Sequence, residues 1–311
     1  MTRSFNWFKG KVEPMLEIAE KFKGIYTGVY YDTGAWSVIK LIALGYFVHI
    51  YTRIIPRYFK HMRYIEFLSG AGLCKIKDTG DIVAGSPLVA AIYRTNPFDE
   101  YILIESNEER AVALQNRMEL IANNVKVIIG DCNDCIPKII DNFERGDHYL
   151  AFVDCEGLEV NWSTIYSLLR QPGDLIFNFQ SSSVARVAGR AKGGSFPGDL
   201  TRLNTFYGDE RWIDLSTPEE LLEGYILKIK EESDRQEVVP LPVKGPGSFR
   251  YDLILATRRT KGRNPWLDAM RRLREDIQGY SGDLVKDALD ILTGRIIPLE
   301  KWFKEEENYS F

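Results

Sequence analysis

At 311 residues the chain is long enough for one α/β domain with helical additions or for two small domains, so length alone does not fix the domain count. Its 45% hydrophobic, 12% aromatic and 27% charged residues exclude a disordered or fibrous protein. A net charge of −4 argues against a wholly basic nucleic-acid coat protein but leaves room for a local basic face.

The first seven residues carry one basic side chain and no apolar run ending in a small-residue cleavage site, so no secretory signal is expected. Over residues 11–24, Val12, Met15, Ile18, Ala19 and Phe22 recur at close to helical spacing. A second helix is expected over 35–51, and Pro56 interrupts the chain shortly after it. The longest apolar stretch, 41–51, falls short of the roughly 20 residues that span a bilayer, so no membrane association and a cytoplasmic location are expected. Four cysteines in such a chain do not suggest a disulfide scaffold.

From Arg63 onward, short apolar runs at 64–68, 101–104, 125–129, 149–153 and 175–179 alternate with helical segments at 86–93, 107–122, 133–143 and 162–169. Strands covered on both faces by crossover helices read as continuous hydrophobic runs, which is the pattern here. The rhythm then breaks into a Ser/Gly/Arg-rich stretch, 181–198, followed by helices near 199–207 and 217–232. Two last strands, 237–243 and 250–257, flank a Gly-Pro-Gly-Ser turn. The expected fold is α/β: a doubly wound, mostly parallel, seven-stranded Rossmann-like sheet with an antiparallel edge hairpin. Helical additions flank it, giving an N-terminal segment 1–62, a core 63–262 with a helical insertion at about 181–235, and an extension 263–311.

In such sheets ligands sit beyond the carboxyl ends of the strands. The first core strand is followed there by Ser69-Gly70-Ala71-Gly72, where glycines let backbone approach a ligand closely. A dinucleotide fingerprint wants a third glycine where Lys75 stands. Glu66, four residues before Gly70, suits a ligand carrying an ammonium and a sulfonium but would repel a pyrophosphate. Together these favour S-adenosylmethionine. Glu105, followed by Ser106, ends the second strand, where a carboxylate can accept both ribose hydroxyls. Asp131, followed by Cys132, ends the third, where it can meet an adenine amino group. Each acid alone reads equally well as a helix cap or a solvated loop residue; three at successive strand ends point to one cofactor.

The sequence resembles the class I methyltransferases, and within them the three-Cys-motif partner family. The matching segments are 65–72, 85–91, Ile104-Glu105, Gly130-Asp131, Phe152-Val153-Asp154, Trp162 and Phe177-Asn178-Phe179, within residues 35–260. The resemblance implies S-adenosylmethionine binding. Where such proteins often read Asp-Pro-Phe-Gly, this chain has Asp154-Cys155-Glu156-Gly157.

The fourth strand should deliver Asp154, Cys155 and Glu156 to the place where the methyl group points. Asp154 is thus expected both beside the cofactor and among the catalytic candidates. Asp154 or Glu156 is a base if the acceptor must lose a proton, or a hydrogen-bond partner of an acceptor amine. Cys155 as a covalent nucleophile is opposed by its acidic neighbours. Cys132 and Cys135 form one C-x-x-C; with Cys74 and Cys155 they invite a zinc site, but a closed site usually shows two such pairs, and no metal is expected.

Asn178, Gln180, Arg186 and Arg190 are the candidate substrate-binding residues. With Lys192, then Arg53, Arg57, Lys60 and Arg63, and Arg258, Arg259, Lys261 and Arg263, the basic residues form three clusters that are either a converging phosphate track or solvated element ends. The leading reading is a methyltransferase acting on nucleic acid, RNA before DNA. The alternatives are a protein or small-molecule acceptor, or a cofactor-binding scaffold that serves a protein partner.

Overall fold

The computed structural model of the protein describes residues 3–194, 196–245, 249–260, 264–277 and 282–296. The chain opens with helix α1 (Arg3–Phe22), strand β1 (Tyr31–Thr33) and helix α2 (Ser37–Ile54). Next come β2 (His61–Phe67), β3 (Leu73–Ile76), β4 (Ile82–Ala84), α3 (Ser86–Tyr93), β5 (Glu100–Glu105), α4 (Glu108–Met118) and β6 (Val125–Ile129). The βα alternation continues through α5 (Cys132–Ile140), β7 (Asp147–Val153), α6 (Trp162–Leu169) and β8 (Gly173–Phe179). Helices α7 (Ser181–Lys192), α8 (Pro197–Tyr207) and α9 (Pro218–Glu232) precede the hairpin β9 (Glu237–Lys244) and β10 (Arg250–Thr257), then α10 (Pro265–Ile277) and α11 (Gly282–Leu292).

Seven strands form the main sheet in the order β6-β5-β2-β7-β8-β10-β9, parallel except for β10, which runs antiparallel to β8 and to β9. The chain direction reverses at β2, whose neighbours β5 and β7 lead to opposite edges. Such a reversal opens a crevice at the carboxyl ends of the strands.

Alternation along each strand sorts side chains between two cores. Leu103, Leu150, Phe152, Ile176, Leu253 and Leu255 face one core with α1, α2, α3 and α10. Ile102, Ile104, Ala151, Val153, Phe177 and Ile254 face the other, with α6, α7 and α9. The two-residue period of a strand produces this division. Helix α9 starts on a capping box: Thr217 Oγ1 accepts the Glu220 N–H at 3.1 Å, and Glu220 accepts the Thr217 N–H at 3.0 Å.

Four features depart from the sequence expectation. Residues 181–192, in the Ser/Gly/Arg-rich stretch, are helix α7, because Val184, Val187, Ala188 and Ala191 fall on one face and are buried there. β1, β3 and β4 make a small second sheet over the glycine-rich turn. Helix α1 starts at Arg3, well before residue 11. The helix containing 41–51 is, with its continuation to Arg57, long and apolar enough to cross a membrane, but most of it is buried inside the protein. There α2 packs against α3 and α10 as a core helix. Of the sequence expectations, the Pro246-Gly247-Ser248 turn, Lys261, Arg263 and most of the stretch beyond 292 lie outside the described residues.

The N-terminal segment is tied to the core by a buried cation. Arg117, fully enclosed on α4, donates to the carbonyl oxygens of Ile25, Val29 and Ala71, the last at 2.6 Å. One guanidinium thus joins the chain before β1 to the glycine-rich turn.

Candidate active site

Strand register builds the site. Phe67 pairs with Ile104 and with Val153, and Val153 pairs with Phe177. The residues one step further along, Leu68, Glu105, Asp154 and Asn178, therefore stand in one rank at the carboxyl rim. A cleft of about 410 Å³ opens there, and these four residues line it. Its other walls come from the glycine-rich turn, from the segment carrying β1 and the first turns of α2, and from Phe249 beside β10.

The turn is built for close approach. Leu68, Gly70 and Gly72 all have positive φ, at 57°, 65° and 80°. Glycine adopts this region freely, whereas a leucine there is strained. Glu105, only 5% exposed, locks the turn to β5: Oε2 accepts the Gly70 N–H at 2.8 Å and Oε1 accepts the Asn107 N–H at 2.9 Å. A carboxylate oxygen has two lone-pair sites, so each oxygen keeps one for a ligand. Ser69, Ala71 and Ser106 complete this stretch of the lining.

Glu66 stands behind the lining. Its side chain points to the same face as Tyr64, is fully buried, and is held by the Tyr64 hydroxyl at 2.6 Å and by the Ser86 hydroxyl. Burial pushes its pKa up to about 8 against the lowering effect of those hydrogen bonds. The carboxyl is therefore largely neutral at pH 7, and Ser86, which does line the cleft, is the group through which it reaches a ligand.

Asp154 is held through both carboxylate oxygens. Its Oδ2 receives Lys40 Nζ at 2.5 Å and its Oδ1 receives Asn178 Nδ2 at 2.7 Å. Cys155 is 1% exposed and its thiol donates to the Asn178 carbonyl at 3.1 Å. Burial, reinforced by Glu159 and Asp154, raises the thiol pKa well above its ordinary value, so Cys155 is not set up as a thiolate nucleophile. Glu156 is exposed on the same lining, with a pKa raised by desolvation and by Glu159. Of the three candidates it alone presents a carboxylate with no partner fixed by the fold among the described residues. Gln180 lines the cleft and gives its amide N–H to the Cys155 carbonyl at 3.2 Å.

Besides Glu66, four predicted site residues are not on the lining. Asp131, exposed, caps α5 by accepting the Asn133 N–H at 2.8 Å, and Cys132 is buried beside it. Arg186 and Arg190 lie roughly 9 Å and 15 Å along α7 from Gln180, at 1.5 Å per residue. Arg190 pairs with Asp199 at 2.8 Å and covers the Phe196 ring.

Arg63, Arg258 and Arg259, from two of the basic clusters, lie away from the cleft. Arg63 sits at the amino end of β2, paired with Glu100 and Asp147, in a depression of about 480 Å³ on the far side of the sheet from the cleft. Arg258 and Arg259, after antiparallel β10, lie at that same far end, paired with Asp234 and Glu237. All four cysteines are free, and no group of three or more metal-ligating side chains occurs among the described residues.

Several lining residues escaped the sequence reading: Tyr31, Trp36, Lys40, Lys77, Arg110 and Phe249. Lys40 had a signal, being the one charged residue between Asp32 and Arg53, in a run otherwise made for burial. Lys77 and Arg110, five residues after Gly72 and Glu105, had only that proximity; Tyr31, Trp36 and Phe249 had none, because they reach the site from elements distant in sequence.

No protein-family model matches the chain, and no curated protein matches it either. Among solved structures, it is similar to a Legionella pneumophila protein, LPL1258, described under the family model DUF519, at 15% identity. That match covers 76% of this chain and 92% of the other, with a TM-score of 0.48. Trm1 from Pyrococcus horikoshii, solved with S-adenosyl-L-methionine, is similar at 11% identity over 84% of this chain and 76% of that one, with a TM-score of 0.46. An O-methyltransferase from Bacillus cereus, solved with SAH, is similar at 13% identity over 78% of this chain and 100% of that one, with a TM-score of 0.40.

Proposed function

We propose that the chain is an S-adenosylmethionine-dependent methyltransferase whose acceptor is a nucleic acid, RNA in preference to DNA. The observation that carries the cofactor reading is Glu105. Its two oxygens are fixed by the Gly70 and Asn107 N–H groups, and each keeps a lone pair for the two hydroxyls of a ribose. The cleft beside it, about 410 Å³, is within the range of small-ligand sites. The neighbouring turn offers two positive-φ glycines, and the third glycine of a dinucleotide fingerprint is missing.

Bound there, S-adenosylmethionine supplies an electrophilic methyl group. The chain's own contribution is to hold the acceptor in line with it, which can account for much of a methyl-transfer rate. Gln180 spends an amide N–H on the Cys155 carbonyl, which leaves its carboxamide oxygen to accept from an acceptor N–H or O–H. Asn178 spends its amide N–H on Asp154 and holds that carboxylate in place, while its own Oδ1 is buried without a partner among the described residues. Glu156 takes the proton where the acceptor has one to lose.

Tyr31, Trp36 and Phe249, with the cations Lys77 and Arg110, support the nucleic-acid reading, because a base can stack while phosphates are neutralised. Asp32, Glu156 and Glu159 on the same lining favour a second reading, a protein or small-molecule acceptor without phosphates.

The test is to incubate the protein with methyl-labelled S-adenosylmethionine and separated RNA, DNA, protein and small-molecule fractions of a cell extract. Label is expected in RNA and is removed by ribonuclease. Label confined to protein or small molecules replaces the acceptor, and cofactor binding without any transfer leaves a scaffold.

A further inference from the structure

Lys40 and Asp154 meet inside the cleft at 2.5 Å, with side chains only 13% and 18% exposed. A Lys enclosed on a core helix is costly unless its charge and its hydrogen-bond donors are satisfied. Its ammonium has three donors, yet Asp154 is its one partner among the described residues. Asp154, for its part, accepts Asn178 on one oxygen and Lys40 on the other, with a second lone pair on each. The pair is therefore a fixed plus-minus couple with spare donors on one side and spare acceptors on the other.

That couple is complementary to an α-amino acid, whose ammonium and carboxylate are carried on a single carbon and are separated by about as much. A zwitterion laid head to tail against it alternates four charges, each beside an opposite one. The placement agrees with the proposed ribose site. Glu105 ends β5 and Asp154 ends β7, with β2 between them, so two strand spacings of about 4.8 Å separate the two acids. On the cofactor, a ribose and an α-amino acid are joined through the sulfonium over a comparable span.

We infer that Lys40 and Asp154 together bind the amino-acid end of the cofactor, Lys40 taking its carboxylate and Asp154 its ammonium. The assignment rests on the cofactor reading above. It gives the N-terminal segment a binding role, since Lys40 reaches the cleft from α2, outside the alternating βα core. Of the two roles expected for Asp154, it keeps cofactor binding and drops proton transfer.

The experiment compares calorimetric affinities of wild type, Lys40→Met and Asp154→Asn for three ligands. S-adenosylmethionine and S-adenosylhomocysteine both carry the amino acid, with and without the sulfonium charge; 5′-methylthioadenosine lacks the amino acid. Each variant is expected to lose about tenfold or more for the first two, as for a lost charge-assisted hydrogen bond, and to stay within about twofold for 5′-methylthioadenosine. Unchanged 5′-methylthioadenosine binding also certifies that the rest of the cleft is folded. Equal loss for all three ligands, or no loss for any, overturns the assignment while the cofactor reading stands. Wild type that binds none of the three overturns both.

Discussion

The Glu105 carboxylate accepts the Gly70 N–H at 2.8 Å, so the acid that ends β5 and the turn that ends β2 form one unit. A glutamine at 105 can still accept one of the two backbone donors, but it sets an amide N–H against the other. Glu105→Gln should therefore weaken S-adenosylmethionine binding by about tenfold or more and lower thermal stability in the same protein. Calorimetry and a melting curve read both effects. Full affinity in the variant would remove Glu105 from the ribose site.

Glu66 makes stability depend on pH. Its folded pKa, about 8, lies above its ordinary 4.5, so between those values folding takes up a proton. The contribution is complete below about pH 4.5 and is lost as pH rises through about 8. Wild-type stability should carry this downward slope from about pH 5 to 8, and Glu66→Gln, which mimics the protonated acid, should flatten it. Denaturant titrations at several pH values measure the difference between the two proteins; parallel profiles would mean that Glu66 is ionised when folded.

Glu156 and Cys155 should separate cleanly in turnover. If the acceptor loses its proton to Glu156, the rate rises with pH through a pKa above the ordinary glutamate range, since partial desolvation in the cleft and Glu159 both raise it. Glu156→Gln should lower the rate by about a hundredfold and abolish that rise. Cys155→Ala should keep most of the activity, because a buried thiol already donating to Asn178 is no nucleophile. A dead Cys155→Ala enzyme that still binds cofactor would reverse the two roles.

Arg117 should matter to stability more than its distance from the chemistry suggests. Its removal leaves the carbonyls of Ile25, Val29 and Ala71 without their donor, all beneath the turn. Arg117→Ala should cost about 3 kcal/mol in denaturant unfolding, as for buried acceptors left without a donor. Protease cleavage within 23–30 should become faster if the guanidinium is what pins that segment.

The sheet was legible because strands buried on both faces must be largely apolar, as Tyr149 to Val153 are and as Leu175 to Phe179 are apart from Asn178. The acids at strand ends were legible as a set, but not the direction each faces. Glu105 follows Ile104 out to the rim and lines the cleft, whereas Glu66 shares the inward face of Tyr64 and is enclosed. Alternation fixes that difference only once the register is known. Helix α7 was missed because Ser181, Ser182, Ser183 and Gly189 are weak helix formers; the buried face made by Val184, Val187, Ala188 and Ala191 outweighs them. Strands β1, β3 and β4, of three or four residues each, are too short to show a period, and with them went the contribution of the N-terminal segment to the site.

Cofactor binding in this cleft is decided by a single titration: S-adenosylmethionine into the purified protein, followed by calorimetry at neutral pH. Saturable heat with one site per chain is expected. A flat titration, with the protein shown to be folded, would mean that the cleft does not hold the cofactor.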